Sequence, residues 1–337
     1  MKLLILGGTI FLGRHIVQAA LDRGHEVTLF NRGRTGPDLF PNVERLRGDR
    51  DGDLTALKGR TWDGVIDTSG YVPRLVRASA ELLKDAVQHY SFISSISVYA
   101  DRQKVGIAEN ARLHTLEDNT TEEVNAQTYG GLKVLCEQAV EAVMPGRSFL
   151  VRLGLLVGPH DPTGRFTYWV ERMAEGGEVL VPGPAKRPVQ FIDARDAASW
   201  IVRMSEKRTT GPMNATGPNE PLSMEDCLST CAQALRSNAR VIWVDEAFLL
   251  ERGVQPWAGL PLWPGSETGG IFAIDTRKAQ ETGLECRPLP ATIRDTFEWA
   301  KHIDASRNPN ANPNVGLTRE REAELLQEWR AHPARTP

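Results

Sequence analysis

The chain has 337 residues, 41% of them hydrophobic and 25% charged, enough apolar material for a large core in one or two domains. Its 40 basic and 43 acidic residues leave a net charge of −3 and are spread along the chain, which argues against a protein built mainly to neutralise nucleic-acid phosphates. No run is apolar for long enough to span a membrane, and four cysteines without an N-terminal leader fit a reducing cytoplasm.

Short apolar runs at 3–6, 26–30, 43–46, 64–67, 89–93 and 148–153 predict strands. Between them, 13–23, 78–87 and 131–143 place apolar residues at helical spacing, as at Ile16, Val17, Ala20 and Leu21. Strands alternating with such helices predict right-handed βαβ units and hence an α/β, Rossmann-type doubly wound parallel sheet. After Leu153 the rhythm is irregular. A loop at 158–164 precedes an expected helix at 166–175, a short strand at 190–192 and a helix at 196–204 that returns to the first lobe. Ser223 is the expected N-cap of a helix over 224–235, followed by a strand at 241–244 and a last core helix at 292–303. The breaker-rich segment 308–314 then leads to a helix at 318–331, whose Leu325, Leu326 and Trp329 must dock on their own subunit or on a partner. The organisation read from this is a sheet domain at 1–157 with a return segment at about 190–205. A smaller C-terminal substrate-binding lobe takes 158–189 and 206–304, and 305–337 form a linker and terminal helix. Cys227 and Cys231 lie four apart on one helix face, but no second pair with ligand spacing accompanies them. They read as buried thiols, and no metal site is expected.

Gly7-Gly8-Thr9-Ile10-Phe11-Leu12-Gly13 follows a strand and opens a helix, the setting in which free helix N–H groups receive a dinucleotide pyrophosphate. Gly7, Gly8, Thr9, Phe11, Leu12 and Gly13 are therefore expected at the cofactor, with the Ile10 side chain turned away from the diphosphate or the cofactor slightly displaced. At the end of the second strand stand Asn31 and Arg32 where a carboxylate would bind the adenine ribose. Without it nothing repels a 2′-phosphate and Arg32 is free to pair with one, so NADP is favoured over NAD; a solvated Arg32 is the alternative. Asp49, in Gly48-Asp49-Arg50, is a candidate acceptor for the adenine amino group or a plain turn residue.

Tyr129 and Lys133 lie four apart on one helix face, so an ammonium beside the phenol is expected to lower its pKa and make it an acid/base near neutrality. Upstream, 90–99 is a strand that ends in hydroxyl residues at the carboxyl edge of the sheet, where ligands bind in such folds.

In these motifs the chain resembles an extended or atypical short-chain dehydrogenase/reductase of the NAD-dependent epimerase/dehydratase superfamily, over roughly residues 1–303. The resemblance implies Ser95 as the catalytic hydroxyl, Tyr129 as general acid/base, and Lys133 as the residue that orients Tyr129 and holds the nicotinamide ribose. It implies that Thr68, Ser69 and Gly70 run beside the cofactor and that a homodimer forms; Asp49 and Arg50 are counted with the cofactor-binding residues on their position alone. Ile96 and Ser97 stand where dehydratases of this superfamily carry an Asp-Glu pair, and Leu155 stands where nucleotide-sugar epimerases carry an Asn.

The resulting expectation is an NAD(P)-dependent oxidoreductase acting on a carbonyl or alcohol of a small molecule, with neither nucleic acid nor membrane as partner. The competing readings are an NAD-dependent sugar or nucleotide-sugar epimerase and a catalytically silent nucleotide-sensing or RNA-binding protein. For the substrate side the candidates are His160 and Asp161, with Tyr71, Tyr99, Phe166 and Trp169 as pocket lining. Trp257 and Trp263 would form a lid or subunit contact. Core packing is the alternative for each aromatic residue.

Overall fold

The computed structural model describes residues 1–302 and 315–332, with the backbone alone for 266–268. β1 (Lys2–Leu6), β2 (Glu26–Asn31), β3 (Glu44–Arg47), β4 (Gly64–Asp67), β5 (His89–Ser95), β6 (Ser148–Leu153) and β10 (Gly211–Ala215) build one sheet in the order β10-β6-β5-β4-β1-β2-β3. Every adjacent pair in it is parallel. A parallel sheet is covered on both faces, so its central strands are apolar throughout rather than alternating; Leu3 to Leu6 and all of β6 are buried.

On one face, α1 (Phe11–Asp22) and α5 (Ala194–Glu206) bring Ile16, Val17 and Ala20 against Trp200 and Ile201. On the other, α2 (Pro73–Leu83) and α3 (Tyr129–Val143) bring Val76, Ala80 and Leu83 against Cys136 and Val140. The doubly wound architecture is the one the alternation predicts. α2 is displaced from the expected 78–87: it starts five residues earlier at Pro73, a favoured first-turn residue, and stops at Leu83, whose carbonyl accepts from the N–H groups of Ala86 and Val87.

β10 was not expected. Its Gly211-Pro212 start hides it, and Pro is tolerated there because β10 is an edge strand. Since α8 (Arg277–Glu281) adds Ala279 to the core under α1 and α5, the first lobe takes in 206–215 and 277–284, which correlates poorly with the division at 205 read from the sequence.

The second lobe is formed by α4 (Thr167–Glu175), β8 (Glu178–Pro182), α6 (Met224–Leu235), β11 (Arg240–Val244), α7 (Glu246–Glu251) and α9 (Leu289–Lys301). β8 and β11 pair in parallel, and so do β7 (Leu155–Val157) and β9 (Phe191–Asp193), the short ribbon through which the chain passes between lobes. Ser223 caps α6 as expected, accepting from Asp226 N. Cys227 and Cys231 are buried thiols in the lobe's core, beside Trp169 and Trp263.

The segment 308–314 and the end of the expected helix at 303 lie outside the described residues. Beyond them α10 (Arg319–Ala331) docks on its own second lobe, placing Leu325, Leu326 and Trp329 in that core. Its Glu322 is 2% exposed and accepts from Arg172 Nε at 2.6 Å and from Leu180 N at 2.9 Å. Arg172 also donates to Gly176 O at 2.9 Å. Glu322→Ala leaves the buried Arg172 charge with only the more distant Glu175 carboxylate, at 3.8 Å, and should destabilise the protein by about 3 kcal/mol. Chemical denaturation read by tryptophan fluorescence measures this, and a loss below about 1 kcal/mol would show that α10 is not held by that pair.

Candidate functional site

The turn after β1 needs two glycines. Gly7 and Gly8 have φ of +103° and +86°, and a Cβ on either would stand 2.4 Å from Thr68 Oγ1 or 2.7 Å from Leu29 Cδ2. α1 then opens at Ile10 with no side-chain cap and no acidic residue in its first turn, which leaves its positive end to an anion. Gly7, Gly8, Thr9, Phe11, Leu12 and Gly13 all line one cleft of about 1000 Å³. Ile10 lines the cleft as well and is 45% exposed. A close-approach turn ahead of an uncapped helix fits a dinucleotide pyrophosphate.

The residues expected at the adenine end divide. Arg32 lines the cleft and is exposed. Asn31 instead secures the turn: its Nδ2 donates to Gly7 O and its Oδ1 accepts from Gly33 N, both at 2.9 Å, so its amide is engaged with backbone rather than offered to a ribose. Asp49 pairs with Asp53 through two backbone hydrogen bonds. Arg50 is drawn under the sheet edge, where it grips the buried Asp67 with two bonds of 2.7 and 2.8 Å and donates to Ser79 Oγ at 3.1 Å. Neither Asp49 nor Arg50 lines the cleft. Thr68 and Ser69 do, and Thr68 Oγ1 ties the loop to Leu6 O at 2.8 Å. Gly70 lies behind them and offers its carbonyl to Lys133.

Ser95, Tyr129 and Lys133 meet in the same cleft. β5 ends on Ser95, whose Oγ accepts from Ser97 N at 3.1 Å and donates to Ser97 Oγ at 3.2 Å. Tyr129 is the first residue of α3, and Lys133 follows one turn later. Lys133 Nζ donates to Gly70 O and Ile93 O, each at 2.7 Å, and lies 4.9, 4.8 and 6.0 Å from the ring centroids of Tyr71, Phe92 and Tyr129. Burial pushes the Tyr129 phenol up to about 12, with Tyr71 adding to the rise, while the nearby Ser95 hydroxyl and the Arg165 charge oppose it. Desolvation pushes Lys133 down to about 8. The expectation of a lowered phenol is thereby corrected: the ammonium is committed to two carbonyls, and desolvation dominates at Tyr129.

On the substrate side, Thr163, Arg165, Gln190, Trp257 and Phe272 line the cleft together with Tyr71, Arg102 and Leu155. His160 and Asp161 do not. The His160 ring packs 5.8 Å from His15 and 5.4 Å from Trp299, and Asp161 is buried as the acceptor of Thr163 N and Oγ1. Tyr99 is core, donating to Asn214 Oδ1 at 2.5 Å, as are Phe166, Trp169 and Trp263. Arg102, Arg165 and Phe272 carried no sequence signal, because the two arginines come from irregular loops and Phe272 from the end of a 3₁₀ turn, and each meets the cleft only through packing.

Residues 3–216 match the NAD dependent epimerase/dehydratase family. The structure is similar to that of UDP-glucuronic acid 4-epimerase from Bacillus cereus in complex with NAD, at 16% identity and a TM-score of 0.67 over 93% of this chain and 100% of that one. It is also similar to dTDP-glucose 4,6-dehydratase from Bacillus anthracis in complex with NAD, at 15% identity and a TM-score of 0.67 over 92% and 99%. At such identities the likeness concerns the fold. In sequence, the chain is 32% identical over 114 residues to the chloroplast stem-loop binding protein of 41 kDa b from Arabidopsis thaliana, a match that covers 29% of this chain and 30% of that protein.

The buried Lys133 has a consequence for stability. Its folded value of about 8 lies below the ordinary 10.5, so between those values the unfolded chain holds more protons and stability rises with pH. Relative to Lys133→Met, the unmodified protein should gain up to about 1.4 kcal/mol per pH unit across that window. Denaturation curves at stepped pH test this; parallel stability profiles for the two proteins would refute it.

Proposed function

The chain belongs to the NAD dependent epimerase/dehydratase family, and from that premise we propose that it is an NAD(P)-dependent oxidoreductase, the nicotinamide exchanging hydride with a carbonyl or alcohol carbon of a small molecule. The observation that carries this reading is that one cleft is lined by the glycine turn, Ser95, Tyr129 and Lys133 together. Gly7 to Gly13 would hold the diphosphate, and Thr68 and Ser69 would flank the cofactor. Arg32 would pair with a ribose 2′-phosphate, which favours NADP.

In the reductive direction Tyr129 acts as the acid. With its phenol at about 12 it is protonated at neutral pH and gives its proton to the substrate oxygen as charge develops there. Ser95 Oγ hydrogen-bonds the same oxygen and polarises it. Lys133 positions the pair by binding the Gly70 and Ile93 carbonyls, which fixes the start of α3 against the ends of β4 and β5. Ile96 and Ser97 supply no acid for eliminating water, and Leu155 offers no hydrogen bond to a nucleotide-sugar diphosphate. Both departures support a reductase over a dehydratase or nucleotide-sugar epimerase.

Tyr129→Phe should lower turnover in a screen of carbonyl compounds by about 10²–10⁴-fold and leave NADPH affinity within about threefold. Unchanged turnover would remove Tyr129 from the chemistry. In fluorescence titrations NADPH should bind more tightly than NADH, and Arg32→Ala should weaken NADPH by at least about tenfold with little effect on NADH. NAD retained through purification would replace this reading with an epimerase. Binding of neither cofactor, with salt-sensitive RNA binding, would replace it with the RNA-binding alternative.

A further inference from the structure

The cleft is electrostatically one-sided. Arg32, Arg102, Lys133 and Arg165 line it, and among the described residues no Asp or Glu does. Lys133 is satisfied by two carbonyls, and Arg32 belongs to the cofactor end. Arg102 and Arg165 have no such task, and both stand near Tyr129.

Arg165 follows the 158–164 loop. Its Nε donates to Thr163 Oγ1 at 3.1 Å, its guanidinium carbon lies 5.9 Å from the Trp257 ring centroid, and its terminal amino groups have no acceptor among the described residues. The nearby carboxylate, Asp161, is buried and already bound by Thr163. Burial lowers the pKa of Arg165, and Asp161 and Tyr129 act against that lowering. Arg102 comes from the loop after β5. One of its terminal nitrogens is 3.5 Å from the place a Cβ on Gly130 would occupy, which puts it against the first turn of α3. Its guanidinium has no acceptor among the described residues either. Arg165 is partly withdrawn from water without a bound counter-charge, which is costly, and the planar forks of both guanidinium groups match carboxylate and phosphate oxygens.

Size restricts the ligand further. The whole cleft is about 1000 Å³, and sites for one drug-sized ligand run to roughly 300–1,000 Å³. A dinucleotide sharing that space leaves room for a small second molecule, bounded by Leu155 and by Trp257 and Phe272, whose rings are 5.7 Å apart.

We propose that the substrate is a compact organic anion, a carboxylate or a phosphate monoester, whose charged group is held by Arg165 and Arg102 while its reacting oxygen meets Tyr129 and Ser95. The second half rests on the oxidoreductase reading; the anion site does not. The test is calorimetric titration of the full chain with inorganic phosphate and, separately, malonate, in saturating NADPH so that the cofactor's own phosphate site is filled. At least one probe should bind, and Arg165→Gln and Arg102→Gln should each weaken it by at least about tenfold, the loss of one charge-assisted contact. Tighter phosphate binding identifies a phosphate ester, tighter malonate binding a carboxylate. Binding of neither probe, equal binding to both Gln variants and the unmodified chain, or binding lost only in Arg32→Gln would overturn the proposal. If NADPH fails to bind while anion binding still depends on Arg165, the anion site stands and the oxidoreductase reading falls.

Discussion

The Lys133 ammonium sits out of water, bound by the carbonyls of Gly70 and Ile93 and faced by the rings of Tyr71 and Phe92. Those two carbonyls belong to different parts of the sheet, the loop after β4 and the strand β5, and the ammonium belongs to α3. One buried charge thus fixes three elements against one another. Because Tyr129 lies one turn before Lys133 and Ser95 two residues after Ile93, the same contact sets the distance between the phenol and the hydroxyl. Its energetic cost shows in the lowered pKa of the lysine, and the desolvated surroundings that cause it also raise the tyrosine.

Two sets of arginines differ in their company. Arg50 grips Asp67, Arg152 grips Glu137, and Arg172 grips Glu322, each through short bonds between largely buried side chains. Removing one partner from such a pair strands the other, so these pairs hold the frame: the edge near β4, the underside of α3 and the docking of α10. Among the described residues Arg102 and Arg165 have no carboxylate bonded to them, and both line the cleft. Those three pairs cancel their charge where they are buried, and positive charge remains along the cleft.

The elements nearest the cofactor turn were legible because their signals are local. Strand-glycine-helix order, apolar spacing in α1 and α3, and the four-residue step from Tyr129 to Lys133 each lie within a short window. Ser223 before α6 was legible for the same reason. β10 escaped because Gly-Pro at its start reads as a breaker, and only its place at the sheet edge makes Pro212 acceptable. Asn31, Arg50, His160 and Asp161 were expected at the cleft, yet none lines it, and their side chains turn to Gly7, Asp67, His15 and Thr163.

The sequence by itself determined the alternating α/β architecture, the glycine turn and the spacing of Tyr129 and Lys133, since periodicity and backbone geometry act between close neighbours. Tertiary structure alone decided which polar groups are free. Arg50 meets Asp67 across 17 residues and Arg172 meets Glu322 across 150, whereas the terminal groups of Arg165 meet no acceptor among the described residues. It also decided the direction of the Tyr129 shift, because desolvation depends on everything packed around the phenol and not on the lysine one turn away.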